Sequence, residues 1–477
     1  MKTLLLFLTI SFTSYLMAQT GINWEGIGDV ASSSYGNNYP RVVLDGSGNP
    51  VVTWGGGDKM MFARWNGSGF TTPDTISENG VNVASATWQG PDLASYGDTI
   101  YAIYKETPEN VSTSGVWCVR STDGGVTFSS PVQVNAYTAD SLTRFPTITT
   151  DDNGHPIAAF MEFDPGFTDA RWMVSKSTDL GVSFLPDVKA SGWSSPTSEV
   201  CDCCPGSITS SGNNVIMMYR DNNSNERDSW AGISTDSGLT FTNGMNIDQK
   251  NWVLNSCPSS GPDGYIIGDS LYATFMNGQS GDYEVFYSSS HVPSATGGAG
   301  VELDPISPGD IQNYPRLSNS GTKVVYVWRE NSNGTTKALL RFSNDITNGL
   351  PNAVDTIAMD YVVSCDVANS STQVVVVWQD YNSGTVKYII GTYAEVGINE
   401  TPDLDVEVFP NPASTEWMIS GEDLVEVGTY KLLDQSGRII YQGAHNGTSN
   451  LTVECEKLPT GVYILQLDNQ QVKLIKN

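Results

Sequence analysis

The residues of this chain best suited to chemistry lie between positions 199 and 230. Three of the seven cysteines fall within four residues of one another, and two Arg-Asp pairs follow them. The residues concerned are Cys201, Cys203, Cys204, Arg220, Asp221, Arg227 and Asp228. Closely spaced cysteines form disulfides, bind thiophilic metals or act as redox pairs. An arginine next to a carboxylate is typical of a site for a charged ligand. The choice depends on the elements that position these side chains.

The first 18 residues, MKTLLLFLTISFTSYLMA, indicate export. Lys2 precedes a short apolar run that ends at the small residue Ala18, which is the pattern of a signal peptide. The run is too short to cross a membrane, and no later stretch is long and apolar enough to do so. We therefore predict a signal peptide at 1–18 and a secreted or cell-surface location, reached through the periplasm and the outer membrane.

The charge of the chain excludes some partners. It has 24 basic and 52 acidic residues, a formal charge of −28, which repels nucleic acids and anionic membranes. Solubility outside the cell explains this acidity, and bound Ca²⁺ is an alternative. The three histidines make a His-based triad or a His-rich zinc site hard to build. We expect a monomer without nucleic-acid partner or membrane insertion, and no cofactor, with Ca²⁺ or a thiophilic metal as alternatives.

An internal repeat sets the predicted fold. Each copy has an extended segment, a Gly/Asn/Ser/Asp turn and a β-rich run that ends on an aromatic residue. The copies include YPRVVLDGSGNPVVTW at 39–54, GPDLASYGDTIYAIY at 90–104, RFPTITTDDNGHPIAAF at 144–160 and YPRLSNSGTKVVYVW at 314–328. Their spacing, and two further strand candidates after each pair, are typical of propeller blades. We predict an all-β propeller at 19–395 with seven blades, six being the alternative, closed by a strand from INWEGIGDVASS at 22–33.

Three turns inside these repeats share a sharper pattern. STDGGVTF at 121–128, STDLGVSF at 177–184 and STDSGLTF at 234–241 have the form Ser-x-Asp-x-Gly-x-Thr/Ser-aromatic. The predicted roles are that Asp123, Asp179 and Asp236 accept hydrogen bonds from the turn, while the glycine takes a conformation closed to other residues. These turns resemble the Asp-box (BNR) repeats of the sialidase superfamily of β-propellers. The resemblance implies a structural role on the face opposite the ligand site.

The pattern changes near residue 399, and a second domain follows. VEVFPNPAS at 406–414, YKLLDQSGRIIYQG at 430–443 and LPTGVYILQLDNQQVKLIKN at 458–477 are short alternating strands around Pro and Gly, as in a small β-sandwich. They resemble the type A C-terminal sorting domain of the type IX secretion system of Bacteroidota. We predict a linker at 396–404 and this domain at 405–477. The resemblance implies handling by the secretion machinery, then cleavage or surface attachment. An accessory sandwich such as a carbohydrate-binding module is the alternative.

In a propeller, the turn after each second strand and the crossing to the next blade share one face. Candidate catalytic or ligand-binding residues on this face are Arg144, Glu162, Arg220, Asp221, Arg316, Arg227 and Asp228. The exported location favours disulfides. Cys203 or Cys204 can bridge to Cys257 in the next blade, and Cys201 and Cys204 form a C-x-x-C. We expect a disulfide-stapled rim with Arg220 and Asp221 pointing into the pocket. The alternatives are a metal site of Cys201, Cys203, Cys204 and Cys257, and a redox pair.

The sialidase resemblance implies an arginine cluster that clamps a carboxylate, a Tyr nucleophile paired with a Glu, and an Asp acid/base. Arg144-Phe-Pro is the nearest match to the Arg-Ile-Pro motif of the family, and it stands in the third repeat instead of the first. No Tyr–Glu pair can be placed. We therefore expect a propeller that binds carbohydrate or another ligand. An exo-glycosidase acting on extracellular glycans is the alternative, and a metal-binding protein using the cysteine cluster is a further one.

Overall fold

A computed structural model describes residues 21–136, 141–394, 406–426, 428–434, 438–467 and 470–477. The predicted signal peptide (1–18) and linker (396–404) lie outside the described residues. The chain forms two compact units, of which the first ends at Tyr393 and the second begins at Ala394. Among the described residues there are strands and three short 3-10 helices but no α-helix. None of the helices is long and apolar enough to span a bilayer.

The first unit consists of seven antiparallel β-sheets, one for each sequence repeat. The inner strand of each sheet contacts the inner strands of its two neighbours, and the seventh contacts the first, so the sheets form a closed ring. This arrangement is a seven-bladed propeller. The all-β fold class and the larger of the two blade counts are therefore confirmed.

The strands of blades 1 to 4 are β3 (Asn38–Leu44), β4 (Pro50–Gly56), β5 (Lys59–Arg64), β6 (Asp74–Thr75); β7 (Asp92–Tyr96), β8 (Thr99–Lys105), β9 (Val116–Ser121), β10 (Val132–Gln133); β11 (Leu142–Thr150), β12 (Pro156–Asp164), β13 (Thr168–Lys176), β14 (Val188–Lys189); β15 (Glu199–Val200), β16 (Ser207–Ser211), β17 (Asn214–Asn222), β18 (Ser229–Ser234) and β19 (Asn243–Asn246).

The strands of blades 5 to 7 are β20 (Asp263–Ile267), β21 (Ser270–Asn277), β22 (Glu284–His291), β23 (Val301–Glu302); β24 (Ile311–Ser320), β25 (Lys323–Ser332), β26 (Thr335–Ser343), β27 (Val354–Met359); β28 (Val362–Asn369), β29 (Gln373–Asp380) and β30 (Val386–Tyr393), joined by β1 (Ile22–Trp24) and β2 (Gly28–Asp29). The 3-10 helices are Ser33–Tyr35 and Ile346–Asn348 here, and Glu422–Glu426 in the second unit.

The first strand of the described chain completes the last blade. β1 pairs antiparallel with β30, with Ile22 opposite Tyr393, and the indole of Trp24 donates to Asp355 Oδ2 at 3.1 Å. The seventh repeat lacks an outer strand of its own, and an unpaired edge would remain exposed without β1. The predicted closure by the segment 22–33 is confirmed.

The core of the propeller lies between neighbouring blades. β4 is buried over six of its seven residues, because the two neighbouring blades cover its two faces, and such strands are apolar and rich in β-branched residues. One cluster joins Val52 and Trp54 of the first blade to Val375 and Val377 of the seventh. Burial between blades, in addition to strand pairing, therefore holds the ring closed.

The three Ser-x-Asp-x-Gly turns form the predicted hydrogen bonds. Asp123 accepts from the amides of Val126 (3.0 Å) and Thr127 (2.9 Å). Gly125 has φ +84°, which residues with a Cβ rarely adopt. The ring of Phe128 packs edge-on against Phe62 of the preceding blade at 4.7 Å. In the other two turns, Asp179 and Asp236 likewise accept hydrogen bonds from backbone amides. The carboxylates hold the turns in shape, as the sequence predicts.

The second unit is a small β-sandwich. A three-stranded sheet contains β31 (Glu407–Phe409), β32 (Glu416–Ser420) and β35 (Asn450–Glu454), and a four-stranded sheet contains β33 (Thr429–Asp434), β34 (Ile439–Ala444), β36 (Gly461–Leu467) and β37 (Gln470–Lys476). Trp417 and Leu465 belong to the core that the two sheets share. The Trp417 indole donates to the Ile475 carbonyl at 3.1 Å, which ties one sheet to the other.

Candidate functional site

One position of each inner strand faces the central channel. In every blade this residue pairs across the inner ladder with the residue just before the aromatic end of the second strand; Arg41, for example, pairs with Thr53, which precedes Trp54. The seven residues are Arg41, Asp92, Thr147, Ser207, Asp263, Arg316 and Asp366. We call them the channel ring. They are all buried or nearly so and line the channel.

Ion pairs link the charged members of the channel ring. Arg41 contacts Asp92 at 2.8 Å and Asp366 at 3.0 Å. The Thr147 hydroxyl donates to Asp92 at 2.7 Å, and Arg316 lies 3.9 Å from Asp263. Two guanidinium groups thus face three carboxyl groups, and neither arginine is left without a counter-charge.

In this network, burial and ion pairing shift the pKa values of the aspartates in opposite directions. Burial raises the pKa of Asp92, but Arg41, Arg316 and the Thr147 hydroxyl outweigh it, so the pKa lies below its usual value. For Asp366 burial prevails and the pKa lies above its usual value, in spite of Arg41 and Arg316. Arg41 stays charged, because both carboxylates stabilise the cation more than burial penalises it.

Aromatic residues surround the channel at the end where the inner strands begin. Tyr39, Phe145 and Tyr314 each precede a proline and have φ between +49° and +52°, which is strained for residues with a Cβ. The register of the inner pair shifts there in all three blades. The hydroxyl of Tyr39 accepts from Arg316. With Trp88, Tyr39 and Tyr314 line the opening. We call these three residues the channel mouth.

Beyond the channel ring, toward the turns between first and second strands, the channel widens. The cavity measures about 370 Å³. Its lining is rich in hydroxyl groups, including Ser95, Thr150, Thr209 and Ser211. A cavity with this lining suits a small polar solute or water more than an apolar ligand.

The cysteine segment lies beside the channel mouth. Pro205 and Gly206, which follow Cys204, line the opening. A disulfide joins Cys203 to Cys257 with a Cα–Cα distance of 6.2 Å, and so connects the entry of blade 4 to that of blade 5. Cys201 and Cys204 are buried thiols. This is one of the two bridges between adjacent blades that the sequence allowed.

Arg220 does not point into the pocket, which corrects the sequence expectation. The residue is fully buried, and its guanidinium donates to the carbonyls of Ser260 (3.0 Å), Arg227 (2.6 Å) and Met276 (2.6 Å). Its plane lies over the ring of Trp252. Because β17 turns this side chain toward blade 5, Arg220 joins two blades. The expected pairing with Asp221 or Asp228 is also wrong, since carbonyl oxygens compensate the charge.

The other residues of the two Arg-Asp pairs are buried as well. Asp228 accepts from the amides of Asn251 (3.0 Å) and Trp252 (2.8 Å). The Nε of Arg227 donates to the Leu254 carbonyl at 2.8 Å. Asp221 is 1% exposed and accepts from Ser194, and burial raises its pKa to about 7. Bonds within the protein occupy these side chains, and their role in ligand contact stays a prediction.

The three arginines among the candidate residues have different surroundings. Arg316 faces the channel, whereas Arg220 lies between blades. Arg144 contacts Glu109 at 3.2 Å and the Asp202 carbonyl at 3.1 Å. Glu162 pairs with Arg171 within its own blade. Of the catalytic candidates, only Arg316 belongs to the channel ring.

Of the channel ring and the channel mouth, the sequence analysis identified only Arg316, and the residues that it missed include Arg41, Asp92, Asp263 and Asp366. A signal for three of them was present in the repeats, where Asp92 and Asp263 follow Gly-Pro and Asp366 follows Ser-Cys. Alignment of the copies on the aromatic end of each second strand brings these aspartates into the position of Arg41 and Arg316. Arg316 was a candidate because of its charge, and Arg41 and the aligned aspartates were not.

Comparisons with known proteins agree with this architecture. Residues 407–477 match the family model of the secretion system C-terminal sorting domain. The C-terminal unit is a type IX secretion sorting domain. The sorting domain directs export to the cell surface or secretion. The predicted C-terminal sorting domain and the predicted export of the protein are thereby confirmed. A search of curated protein sequences gives no match.

Solved structures resemble the propeller. An ulvan lyase, a polysaccharide lyase, matches with a TM-score of 0.50 at 14% identity, over 77% of this chain and 95% of its own. A Fusarium graminearum α-L-arabinofuranosidase matches with a TM-score of 0.45 at 14% identity, over 68% of this chain and 99% of its own. The Trypanosoma rangeli sialidase matches with a TM-score of 0.43 at 11% identity, over 92% of this chain and 84% of its own. At these identities the likeness concerns the fold alone.

Proposed function

We propose that this exported propeller binds uncharged carbohydrate at the channel mouth and does not hydrolyse sialosides. The observation that carries the proposal is the pairing of Arg41 and Arg316 with Asp92, Asp263 and Asp366. A carboxylate ligand would have to displace these partners and would meet an excess of negative charge, within a protein of formal charge −28. The site therefore disfavours acidic sugars.

The channel mouth supplies what a neutral sugar needs. Tyr39, Trp88 and Tyr314 are each partly exposed, and the apolar face of a pyranose ring can stack on the rings of Trp88 and Tyr314. The guanidinium groups of Arg41 and Arg316 lie over the ring of Tyr39, 5.8 Å and 5.5 Å from its centroid. These contacts fix the ring in place, so that little side-chain entropy is lost when a ligand binds.

Exposed aromatic residues occur elsewhere on the same face. Phe167 lies in the turn after the second strand of blade 3, and Tyr361 and Tyr381 lie at the corresponding end of blade 7. They are 44%, 53% and 79% exposed. An extended glycan can use such rings as additional contacts beyond the channel mouth.

A binding assay with the exported protein tests this function. Titration calorimetry with neutral oligosaccharides chosen from an array should show binding that Trp88→Ala weakens about tenfold or more, a loss on the scale of one aromatic contact. Trp65→Ala, which removes a partly exposed tryptophan on the opposite face, is the control and should bind normally.

The same protein decides the alternative of exo-glycosidase activity. It should release no fluorophore from a fluorogenic sialoside. Turnover of the sialoside that is lost in Tyr39→Phe would establish hydrolysis and contradict the binding proposal. Binding of sialylated glycans in preference to neutral ones would also contradict it.

A further inference from the structure

The four cysteines beside the channel mouth bring their sulfur atoms together, and the proposed carbohydrate site uses none of them. The Sγ atoms of Cys201, Cys203, Cys204 and Cys257 all lie within 4.8 Å of one another. Cys203 and Cys257 are bonded. The Cys201 Sγ lies 3.4 Å from the Cys203 Sγ and 3.3 Å from the Cys204 Sγ. We call this group the sulfur cluster. It contains one disulfide with a pair of thiols directly against it.

One of the two thiols is placed to act as a nucleophile. The Arg227 guanidinium donates to the Cys201 Sγ at 2.8 Å, and a bond to the Leu254 carbonyl at 2.8 Å fixes Arg227. The hydrogen bond from Cys204 and the nearby charges of Arg227 and Arg220 lower the pKa of Cys201 to about 6. Burial raises the pKa of Cys204. Cys201 is thus the thiolate and Cys204 the thiol.

The four cysteines of the sulfur cluster differ in their exposure to solvent. Cys257 is exposed and Cys203 is half-buried, whereas Cys201 and Cys204 are buried. A dissolved molecule reaches the outer disulfide but not the inner pair. A purely structural disulfide does not need a buried thiolate beside it. Stabilising the Cys201 thiolate requires the charged Arg227 guanidinium to be buried as well, which costs free energy.

We propose that the sulfur cluster is a thiol–disulfide exchange site, in which the inner pair of cysteines takes over the disulfide and frees Cys257 to form a mixed disulfide with a solute disulfide. The geometry of the three sulfurs around Cys201 carries this proposal. The ligand class is a disulfide-containing molecule that reaches the exposed Cys257.

The exchange is balanced within the protein. The Cys201 thiolate attacks the Cys203 Sγ, a Cys201–Cys203 bond forms, and Cys257 leaves as a thiolate that takes up a proton. Cys204 then loses its proton and attacks the Cys201 Sγ, and Cys203 leaves and is protonated. The disulfide has moved from Cys203–Cys257 to Cys201–Cys204 without net oxidation. A solute disulfide then exchanges with Cys257 and releases one solute thiol.

Trapping of Cys257 tests the proposal. The exported protein is equilibrated with a mixture of reduced and oxidised dithiothreitol until one disulfide remains in the sulfur cluster, and is then treated with N-ethylmaleimide under native conditions. Peptide mapping should find Cys257 alkylated and Cys201 linked to Cys204. In Cys201→Ser, which lacks the thiolate that attacks Cys203, alkylation of Cys257 should fall at least tenfold. Cys118→Ser, which removes a buried thiol of blade 2, should label as the parent does.

If Cys201→Ser fails to fold, a second variant still tests the proposal. Cys204→Ser permits only the first step, so Cys257 should be alkylated and Cys201 should be found linked to Cys203. A parent protein in which Cys257 resists alkylation would overturn the proposal, and so would equal labelling of Cys257 in Cys201→Ser. Stoichiometric zinc or copper held by four thiols in protein purified without chelator would likewise overturn it and establish a metal site.

Discussion

Arg41 of the first blade and Asp366 of the seventh form a 3.0 Å ion pair across 325 positions of the chain. The other oxygen of Asp366 accepts from the Val42 amide at 2.9 Å. β1 closes the propeller at its outer edge, and this pair closes it at the channel. Both contacts join the beginning of the propeller to its end.

Removing one partner of this pair should destabilise the whole propeller. Asp366→Ala leaves Arg41 with a single counter-charge and the buried Val42 amide without its acceptor, and an unsatisfied buried donor costs about 1–3 kcal/mol. We expect a lower free energy of unfolding by chemical denaturation, and a double variant with Arg41→Met that is less destabilised than the sum of the single changes. Additive effects would show that the two residues do not interact.

Removal of residues 20–33 should also act on the whole propeller. The deletion exposes the edge of β30 and takes away Trp24, so the closed ring becomes an open one. We expect one cooperative thermal transition at a clearly lower Tm, instead of a small loss confined to the last blade. An unchanged Tm would contradict closure by this segment.

The sorting domain should be dispensable for folding and necessary for export. The two units have separate cores, so a chain without residues 400–477 should keep a propeller that melts near the parent Tm. Cell fractionation should find it in the periplasm. The truncated protein at the cell surface in normal amounts would contradict the sorting role.

Asp221 predicts a pH dependence of stability. Burial raises its folded pKa to about 7, whereas an unfolded aspartate titrates near 4. At pH values between these two pKa values the folded state binds more protons than the unfolded state. The contribution of Asp221 to the free energy of unfolding therefore falls as pH rises, by up to about 1.4 kcal/mol per pH unit. Asp221→Asn should therefore gain stability over the parent from pH 5 to pH 8 in denaturation series. Asp58→Asn, at an exposed aspartate, should show no such trend.

Arg41 and Arg220 show why charge alone does not identify a site. Arg220 was a candidate residue and Arg41 was not, although both lie at the end of their blade that carries the channel mouth. Arg41 is on an inner strand at a position that faces the channel, while Arg220 is on a second strand whose side chains pack between blades. A shift of one residue in a strand turns a side chain to the other face. The bulge before Arg41 sets that register, and it depends on contacts with β4.

The sequence by itself determined the seven repeats, their turns, the closing strand and the sorting domain. These features depend on local hydrogen bonds, on hydrophobic periodicity and on the order of motifs, all of which can be read along the chain. Only the tertiary structure decided which charges meet in the channel and in which order the four sulfurs lie. Arg41 and Asp366, or Cys203 and Cys257, become neighbours because the blades close into a ring, and distances across that ring do not follow from separation along the chain.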